Sequence, residues 1–388
     1  MGFTPIVVQV AGSLTLLIVA GLFVRSLSAM RRMDIGFNPR HLATLTLDTA
    51  YTGYDQPRTA AFYRDLERRV RDLPSVASVA LSFSAPISYT READAVAVEG
   101  RAPASIHDLP LIFYNSVTPD YFRTIDMPLL RGRAFRESDD ESAPRIAIVN
   151  ETMAHNLWPG QDSVGKRFHL QRTGDAWWQV VGVARDSKYL TLFEPRLPFF
   201  YVPAAQQFYT RRCLQVRTTL APEALLPRLE AEIRSLDPDM PVTEAETMES
   251  VLEGMSGYWG YRLGAYLSAA MGLVGLILAA LGVYGVLSYA AASRAREIGI
   301  RMALGASNVD ILRLVLGEGL TLISIGIGIG LLLAAALARA MARAIAIAST
   351  PAPFIAATAF LATVALVASY LPARRVLKLD PNEPLHHE

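Results

Sequence analysis

The stretch Arg294-Ala-Arg-Glu-Ile-Gly-Ile-Arg-Met-Ala-Leu-Gly-Ala-Ser307 is a charged segment between two long apolar runs. The run before it, Leu263–Ser293, contains no Asp, Glu, Lys or Arg, and neither does the run after it, Gly319–Ala338. A helix rises about 1.5 Å per residue, so each run is long enough to cross a hydrocarbon core of about 30 Å. The pattern therefore predicts two membrane spans joined by a charged hairpin tip just outside the bilayer.

The charged segment itself has the pattern of a short helix with two faces. Glu297 precedes Arg301 by four residues, which is the favourable order for an ion pair along a helix. Ile298 and Met302 form an apolar stripe one turn apart on the same segment. We therefore expect an exposed, partly amphipathic helix rather than an extended loop.

Signals for the end of this helix and the start of the next also lie in the segment. Gly305 is suited to end the helix, because glycine accepts the left-handed conformation found after a last turn. Ser307 with Asp310 supplies a Ser-x-x-Asp signal for a helix start. The third apolar run is therefore predicted to begin shortly after the hairpin tip.

Composition places the chain between two classes of protein. Apolar residues make up 52% of the 388 residues and charged residues 19%, with a formal net charge of +1. This is too polar for a bundle that lies wholly in the membrane and too apolar for a typical soluble enzyme. The middle of the chain, from Arg25 to Arg262, has ordinary globular composition and is large enough for one sizeable domain. The near-zero net charge gives no argument for a nucleic-acid partner.

Four spans follow from the uncharged runs. Pro351 and Pro353 precede the last run, where proline suits a helix start better than a helix interior. The first run is interpreted as a retained helix and not a secretory signal, because it lacks a preceding basic residue and a clear cleavage site. The four predicted spans are Ile6–Val24, Leu263–Ala290, Leu316–Ala338 and Phe354–Leu371.

Orientation follows from the short flanking loops, where Lys and Arg favour the cytoplasm. Four basic residues lie in the 293–315 loop and three in the carboxyl-terminal tail, against two between the last two spans. The loop and tail are therefore predicted inside, and residues 30–258 outside. Arg25, Arg31 and Arg32 oppose this locally, but the segment that follows exceeds about 60 residues, beyond which loop charge loses control of translocation.

The segment between the first two spans contains a repeated pattern. Residues 42–49 read as a strand, Pro57–Asp72 as an amphipathic helix and Val76–Phe83 as a second strand. A strand at Leu214–Thr218, a helix at Pro222–Leu236 and a strand opening at residues 241–243 repeat this order. We expect two β-α-β units that flank an insert of about 86–210, with chance similarity between two amphipathic helices as the alternative.

These residues resemble the MacB/FtsX-type permeases of ABC transporters, in which an Arg-Glu-Ile-Gly-Ile-Arg-x-Ala-Leu-Gly-Ala segment lies between the second and third membrane helices. Further phrases of that family span most of the chain. They are Ser116-Val-Thr-Pro-Asp-Tyr-Phe122, Ala147-Ile-Val-Asn-Glu151, Leu157-Trp-Pro-Gly160, Val180-Val-Gly-Val183, Leu371-Pro-Ala-Arg-Arg375 and Leu379-Asp-Pro381.

The resemblance implies an α+β membrane protein with four transmembrane helices. It places a large extracytoplasmic α+β domain, with two β-α-β units and an inserted subdomain, between helices 1 and 2. The implied domains are helix 1 at 1–29, a MacB-like periplasmic core domain at 30–258, and an FtsX-like permease domain at 259–388 with helices at about 263–290, 316–338 and 354–371.

The resemblance also implies a function. The chain is expected to be a multi-pass permease of the inner (cytoplasmic) membrane that couples a separate cytoplasmic ABC ATPase to motion of the extracytoplasmic domain, for efflux or export. It is expected to pair with itself or with a second permease half, because many such permeases carry two halves and this chain resembles one. The implied ATPase-coupling residues are Arg294, Arg296, Glu297, Ile298, Arg301, Met302, Gly305 and Ser307.

Two alternatives from other classes stay open. The first is an FtsX-like signalling or regulatory protein that controls a partner enzyme and moves no cargo. The second is a membrane-anchored enzyme, which the absence of an active-site cluster in the sequence disfavours. An ATPase that copurifies, together with cargo flux in vesicles, separates the transporter from both.

We expect no enzyme activity, cofactor or metal in this chain. The histidines are His41, His107, His155, His169, His386 and His387, of which only the tail pair is close in sequence. Gly160–Arg167 nearly matches a phosphate-binding loop, but Arg167 replaces the Ser or Thr that would hold magnesium. Cys213 is the only cysteine, so an intramolecular disulfide is excluded.

Glycines recur in the second and third predicted spans, where they let helix backbones approach closely. Two interpretations are equally open, a seam between two permease copies and packing within the four-helix set. The glycines concerned are Gly272, Gly275, Gly282, Gly285, Gly326, Gly328 and Gly330.

Overall fold

Long apolar helices and a large sheet occupy separate parts of the chain in a computed structural model of the protein. The structure describes residues 4–88, 90–100, 109–173, 176–254, 257–293, 308–345 and 351–376. Contacts divide the chain into a helical unit, residues 1–32 with 260–388, and an α+β unit, residues 33–259. Each unit has its own buried residues.

The described residues contain nine α-helices and eleven β-strands. The helices are α1 (Thr4–Met30), α2 (Gln56–Arg71), α3 (Tyr121–Ile125), α4 (Glu151–Leu157), α5 (Pro222–Leu236), α6 (Met248–Glu253), α7 (Trp259–Ser293), α8 (Asn308–Ile345) and α9 (Pro351–Val376). The strands are β1 (Leu42–Asp48), β2 (Val76–Ser82), β3 (Glu92–Val98), β4 (Leu111–Val117), β5 (Leu129–Gly132), β6 (Ile146–Asn150), β7 (Arg167–Leu170), β8 (Trp177–Ala184), β9 (Phe199–Pro203), β10 (Arg211–Thr218) and β11 (Val242–Thr247).

The helical unit consists of α1, α7, α8 and α9, and each is long and apolar enough to span a membrane. The helices extend past the predicted spans because their hydrogen bonds continue through charged flanks. Thus α1 runs beyond Arg25 to Met30, and α8 runs beyond Arg339. Pro351 opens α9, where its missing amide donor costs no helical hydrogen bond.

The two predicted β-α-β units interlock in one sheet, which we call the sheet lobe. The strand order is β11-β1-β10-β2, so β10 lies between the strands of the first unit and β1 between those of the second. Neighbouring strands are antiparallel, and the two strands within each unit are parallel. This arrangement is a split β-α-β fold, in which each unit depends on the other to complete the sheet.

The helices α2 and α5 cover one face of that sheet. The side chain of Asp55 accepts a hydrogen bond from the Arg58 amide and so caps α2, while Pro222 opens α5. The predicted apolar faces of both helices are buried, and each fully buried leucine contributes about 1.5–3 kcal/mol. The core between helices and sheet contains Leu45, Leu47, Phe62, Leu66, Val70, Val79, Leu81, Leu214, Val216, Leu225, Leu229 and Ile233.

The insert between the two units forms a second lobe, which we call the barrel lobe. Its strands follow the order β4-β3-β7-β8-β6-β9, and β9 pairs in parallel with β4, so the hydrogen bonding closes on itself. Inward-facing side chains fill the small barrel, with α4 packed against β6, β8 and β9. Its core contains Val96, Ile112, Tyr114, Val149, Met153, Phe168, Trp178, Val180, Phe200 and Val202.

Candidate functional site

The helix α1 is the best buried of the four candidate spans. Within the apolar window of α1, 44% of the residues are buried, against 22%, 28% and 22% in α7, α8 and α9. Its fully buried residues include Leu14, Ile18 and Leu22. Since no apolar side chain gains by leaving lipid, burial at this depth reflects close helix packing.

Glycines of α8 pack closely against α1. A Cβ atom at Gly326 would lie 2.7 Å from a methyl group of Val10, and one at Gly330 would lie 2.9 Å from the carbonyl oxygen of Ala11. The Thr15 hydroxyl donates to the carbonyl oxygens of Ala11, at 2.8 Å, and of Gly330, at 3.2 Å. Along these contacting pairs the residue number rises on both helices in the same direction, so α1 and α8 run parallel.

Glycines of α7 also pack against α1, and their contacts move towards the start of α1 as the residue number on α7 rises. A Cβ atom at Gly264 would lie 2.7 Å from the ring of Phe23, and one at Gly272 would lie 3.2 Å from the backbone nitrogen of Leu17. The rings of Phe23 and Tyr261 pack edge to face, with centroids 5.9 Å apart. These contacts make α7 antiparallel to α1.

The start of α9 packs near the end of α1. A Cβ atom at Gly21 would lie 2.9 Å from the Cβ atom of Pro353. The fourth helix therefore also begins near the end of α1 that leads into the α+β unit. The two spans that follow α1 along the chain thus run antiparallel and then parallel to it, as alternate crossings of a membrane require.

Of the two interpretations of the glycines, the contacts favour packing within the chain at four positions. Gly272, Gly326 and Gly330 lie against α1, and so does Gly275, which contacts Ser13. By contrast, a Cβ atom at Gly285 or Gly328 would meet open space. These last two positions are available to a second membrane helix or to lipid.

The predicted coupling residues, Arg294 to Ser307, lie outside the described residues. The structure shows the helices that hold this segment, with α7 ending at Ser293 and α8 beginning at Asn308. Both helices pack on α1 through glycines. Displacement of the segment would therefore act on two helices that share one central partner.

Within the α+β unit, a buried cation joins the two lobes. Arg212 of β10 is 5% exposed. Its guanidinium donates hydrogen bonds to the carbonyl oxygens of Ser116, Ala204 and Gln207, at 3.1–3.3 Å, and to the Ser116 hydroxyl, at 2.9 Å. Burial lowers the pKa of Arg212 to about 10. Because a buried guanidinium is costly unless its donors are used, these oxygens fix the barrel lobe to the sheet lobe.

The segment that resembles a phosphate-binding loop joins its flanking helix and strand in the wrong order for that role. Gly160–Arg167 follows helix α4 and leads into strand β7, whereas a phosphate-binding loop joins a strand to the start of a helix. The Arg167 guanidinium is engaged in a two-point ion pair with Glu99. The loop therefore presents no helix amino terminus to a phosphate.

Two families match successive parts of the chain. The family described as the MacB-like periplasmic core domain matches residues 10–236, and the FtsX-like permease C-terminal domain matches residues 269–381. The chain belongs to the MacB/FtsX-type permeases. Membership confirms the predicted fold class, with four membrane helices and an extracytoplasmic α+β unit between the first two.

Relatives of this permease include two named export proteins. It is 29% identical over 279 residues to the macrolide export ATP-binding/permease protein MacB of Rhodospirillum rubrum, a match that covers 69% of this chain and 42% of the relative. It is 27% identical over 335 residues to the pyoverdine export ATP-binding/permease protein PvdT of Pseudomonas putida, covering 76% and 48%. The permease spans about half the length of the curated relatives it matches.

Among solved structures, the permease is similar to the periplasmic region of MacB from Actinobacillus actinomycetemcomitans. That match has a TM-score of 0.39 and 14% identity, and it covers 60% of this chain and 100% of that one. The extracellular domain of the transporter YknZ from Gram-positive bacteria matches with a TM-score of 0.35 and 17% identity, covering 52% and 100%.

Sequence reasoning missed the residues that fix the lobes of this permease. They are Arg212 and also Arg217, whose guanidinium donates to the carbonyl oxygens of Asn38, Arg40 and Thr124. Both look like ordinary strand arginines, because nothing in the sequence shows that carbonyl groups surround them. The one available signal was position. Both lie on the central strand β10, where a long polar side chain is unusual.

Proposed function

We propose that this chain is the transmembrane permease subunit of an ABC-type export system. In this proposal a separate cytoplasmic ATPase binds and hydrolyses ATP, and the chain carries the resulting motion across the cytoplasmic membrane to its α+β unit. The observation that carries the proposal is the order of parts on one chain, with a periplasmic core domain match followed by a permease match. The same chain has four helices long and apolar enough to cross a membrane.

The names of the relatives support a distinction between an ATP-binding function and a permease function. They join an ATP-binding part and a permease part, and the permease family model matches residues 269–381 of this chain. The segment of this chain nearest to a phosphate-binding loop has the reversed order described above. We therefore assign no ATP binding to that segment, and the proposal keeps the ATPase as a separate cytoplasmic partner.

The proposed domains are the first helix at residues 1–29, the periplasmic core domain at 30–258 and the permease domain at 259–388. We assign the contact with the ATPase to the hairpin between α7 and α8. The sequence predicts a short helix there with basic and apolar side chains, which suit a surface that another protein binds. The assigned residues are Arg294, Arg296, Glu297, Ile298, Arg301, Met302, Gly305 and Ser307.

Pairing with a second permease copy or half is part of the proposal. The face of α7 turned away from α1 is apolar and exposed, with Leu273, Ile277 and Leu281 on it. The open positions at Gly285 and Gly328 would allow a second helix to approach closely. Lipid covers the same faces equally well, so cross-linking between copies decides between them.

The test begins with affinity purification of the chain from native membranes. We expect a nucleotide-hydrolysing subunit to copurify and its turnover to rise when the chain is present. Replacing both Glu297 and Arg301 with Ala removes the ion pair that the sequence predicts, worth about 0.3–0.5 kcal/mol, so membrane insertion should persist. Retention or stimulation of the ATPase should nevertheless be lost.

The matched control is Arg339→Ala, which removes a cation from the opposite end of α8. It should leave both ATPase retention and stimulation unchanged. If the double variant behaves like this control, the hairpin is only a solvated turn and the assigned coupling residues are wrong. Stimulated ATP hydrolysis without flux of any cargo into vesicles would favour a regulatory FtsX-like role over export.

A further inference from the structure

The connection from α1 into the α+β unit is bonded to both lobes of that unit. It consists of residues 34–40, Asp34-Ile-Gly-Phe-Asn-Pro-Arg40, which we call the strap. Ile35, Gly36 and Phe37 of the strap are buried, although the segment contains no helix or strand. Connecting segments usually run over the protein surface, so burial of these three residues indicates that the strap is packed against the α+β unit.

The first half of the strap is fixed to the barrel lobe. The carbonyl oxygen of Ile35 accepts hydrogen bonds from the Lys188 amide and the Ser187 hydroxyl, both at 3.0 Å. The carboxylate of Asp34 forms an ion pair with Arg185. These partners follow directly after β8, so the strap is joined to a barrel strand through a few residues of chain.

That receiving segment is itself held within the barrel lobe. The carboxylate of Asp186 accepts hydrogen bonds from the amide of Thr152, at 2.9 Å, and from its hydroxyl, at 2.7 Å, which fixes the segment to α4. The ring of Tyr189 stacks on Phe199 of β9, with centroids 3.9 Å apart. Movement of the strap is therefore resisted by two further elements of the barrel lobe.

Gly36 is the closest point of this contact. Its φ of +85° is favourable only for glycine, and a Cβ atom there would overlap the carbonyl oxygen of Asp186 and the backbone of Ser187. Both requirements exclude larger residues. The strap can lie against the barrel segment only because residue 36 has no side chain.

The second half of the strap is fixed to β10 of the sheet lobe and to α3, a helix of the insert that packs on β2 and β10. The guanidinium of Arg217 on β10 donates to the carbonyl oxygens of Asn38 and Arg40, both at 2.8 Å, and of Thr124, at 2.6 Å. The Asn38 amide donates to the carbonyl oxygen of Ile125 at 3.0 Å. Charged donors make strong hydrogen bonds to carbonyl groups, so Arg217 clamps the strap, the end of α3 and the central strand together.

We propose that the strap is the route by which displacement of α1 reaches both lobes of the α+β unit at once, with Gly36 and Arg217 as its positioning residues. This inference rests on the proposed coupling function. It adds that the pull enters through seven residues bonded to the barrel lobe at one end and to the sheet lobe at the other.

The experiment uses the full chain in lipid nanodiscs with the ATPase that copurifies, and compares hydrogen–deuterium exchange in ATP and in ADP. The parent should show slow exchange in residues 34–40 and a nucleotide-dependent change in residues 185–189 and α3. Gly36→Ala and Arg217→Gln should each speed exchange of the strap roughly tenfold or more, as expected when a local set of hydrogen bonds opens. Both variants should lose the nucleotide-dependent change in the barrel lobe while ATPase binding and turnover stay within about twofold of the parent.

Two matched variants separate this role from general destabilisation. Gly165→Ala introduces a side chain at nearly the same φ, +86°, but into open space. Arg211→Gln removes a guanidinium from the same strand as Arg217, where it contacts Thr90 and Glu244. Both controls should keep the nucleotide-dependent change.

The possible results distinguish the two proposals. If the parent responds to nucleotide and the strap variants respond equally, the strap is not the route, although the coupling function stands. If the parent itself shows no nucleotide-dependent change in the α+β unit, both proposals are overturned. Fast exchange of residues 34–40 in the parent would contradict the strap proposal by itself.

Discussion

The chain enters the α+β unit from α1 and leaves it into α7, and these two helices are built differently. In α1, 44% of the apolar window is buried, against 22% in α7. Three helices contact α1, whereas α7 buries one stripe that includes Tyr261, Ala265 and Leu276 and exposes the rest of its apolar surface. Packing thus makes α1 the centre of the helical unit and leaves α7 at its edge.

The segments that connect α1 and α7 to the α+β unit also differ in their contacts. The strap after α1 is bonded to both lobes. Before α7, the backbone hydrogen bonds of the turn run within residues 250–259, including one from the Tyr258 amide to the carbonyl oxygen of Leu252 at 2.8 Å. The adjoining helix α6 packs on β1 and β11 of the sheet lobe. Two helices of similar apolar composition are therefore joined to the α+β unit in different ways, α1 through the strap and α7 through a turn that follows α6.

The largest effect is expected where α1 meets α8. Gly330→Leu adds a branched side chain where even a Cβ atom would lie 2.9 Å from the carbonyl oxygen of Ala11. The two backbones must separate, and the free energy of unfolding should fall by about 3 kcal/mol or more. Thermal unfolding in detergent measures the loss.

The control for this prediction is Gly328→Leu, two residues away on the same helix. A Cβ atom at Gly328 would meet open space, so the change should stay within about 0.5 kcal/mol. Equal stability of the two variants would contradict the central position of α1. A loss confined to Gly328→Leu would instead show that this open face is covered by a partner.

A smaller effect is expected at the turn before α7. In Gly257→Ala the new Cβ atom would overlap the carbonyl oxygen of Leu252, which accepts the hydrogen bond from Tyr258. The turn must rearrange, at about 1–3 kcal/mol of stability. Because the turn is local, hydrogen exchange in residues 34–40 should not change.

Gly260→Ala is the control, since a Cβ atom there meets open space in the first turn of α7. Alanine favours helix over glycine, so this variant should be as stable as the parent or more stable by up to about 1 kcal/mol. If Gly257→Ala also speeds exchange in the strap, the two connections are coupled and the contrast between them is wrong.

Much of the architecture was readable from the sequence because it depends on local pattern. Uncharged runs predicted the four spans, and the pattern of Pro222–Leu236 predicted helix α5, whose Leu225, Leu229 and Ile233 are buried. The start of β10 at Arg211, three residues before the predicted start, was missed because Arg211 and Arg212 do not look like residues of a central strand. Ser116, Thr90 and Glu244, which are among their partners, lie far from them along the chain, and no local pattern reveals these contacts.

The sequence left the glycines ambiguous for a similar reason. Spacing alone cannot say which helix a glycine faces, and Gly328 and Gly330 have the same composition around them yet differ in environment. The strap was invisible for a second reason. Asp34-Ile-Gly36 has the pattern of an ordinary turn, and only the position of Asp186 shows why glycine is required. The coupling residues Arg294 to Ser307 stay a prediction, since they lie outside the described residues.

The smallest effect concerns the other side of α3, the helix that receives the strap. Glu67 of α2 lies 3.3 Å from Arg71, which also contacts Asp120 at the start of α3. Burial raises the pKa of Glu67 to about 7, although Arg71 opposes the shift. A carboxyl whose pKa is higher in the folded state than in the unfolded state favours folding at low pH, and this contribution is lost as the pH rises through about 7.

Glu67→Gln removes that titration while keeping a side chain of similar shape. At pH 5 the variant should unfold at nearly the temperature of the parent, and at pH 8 it should be more stable by about 1–2 kcal/mol, a rise of a few degrees in Tm. The control is Glu230→Gln on α5, which likewise removes the acidic partner of an arginine four residues on, but in a more exposed pair worth little. Its effect on the free energy of unfolding should stay within about 0.5 kcal/mol. A Glu67→Gln variant that is less stable than the parent at pH 8 would show that the carboxylate is needed by Arg71 and α3, and that the sheet lobe holds the receiving helix by charge rather than by burial.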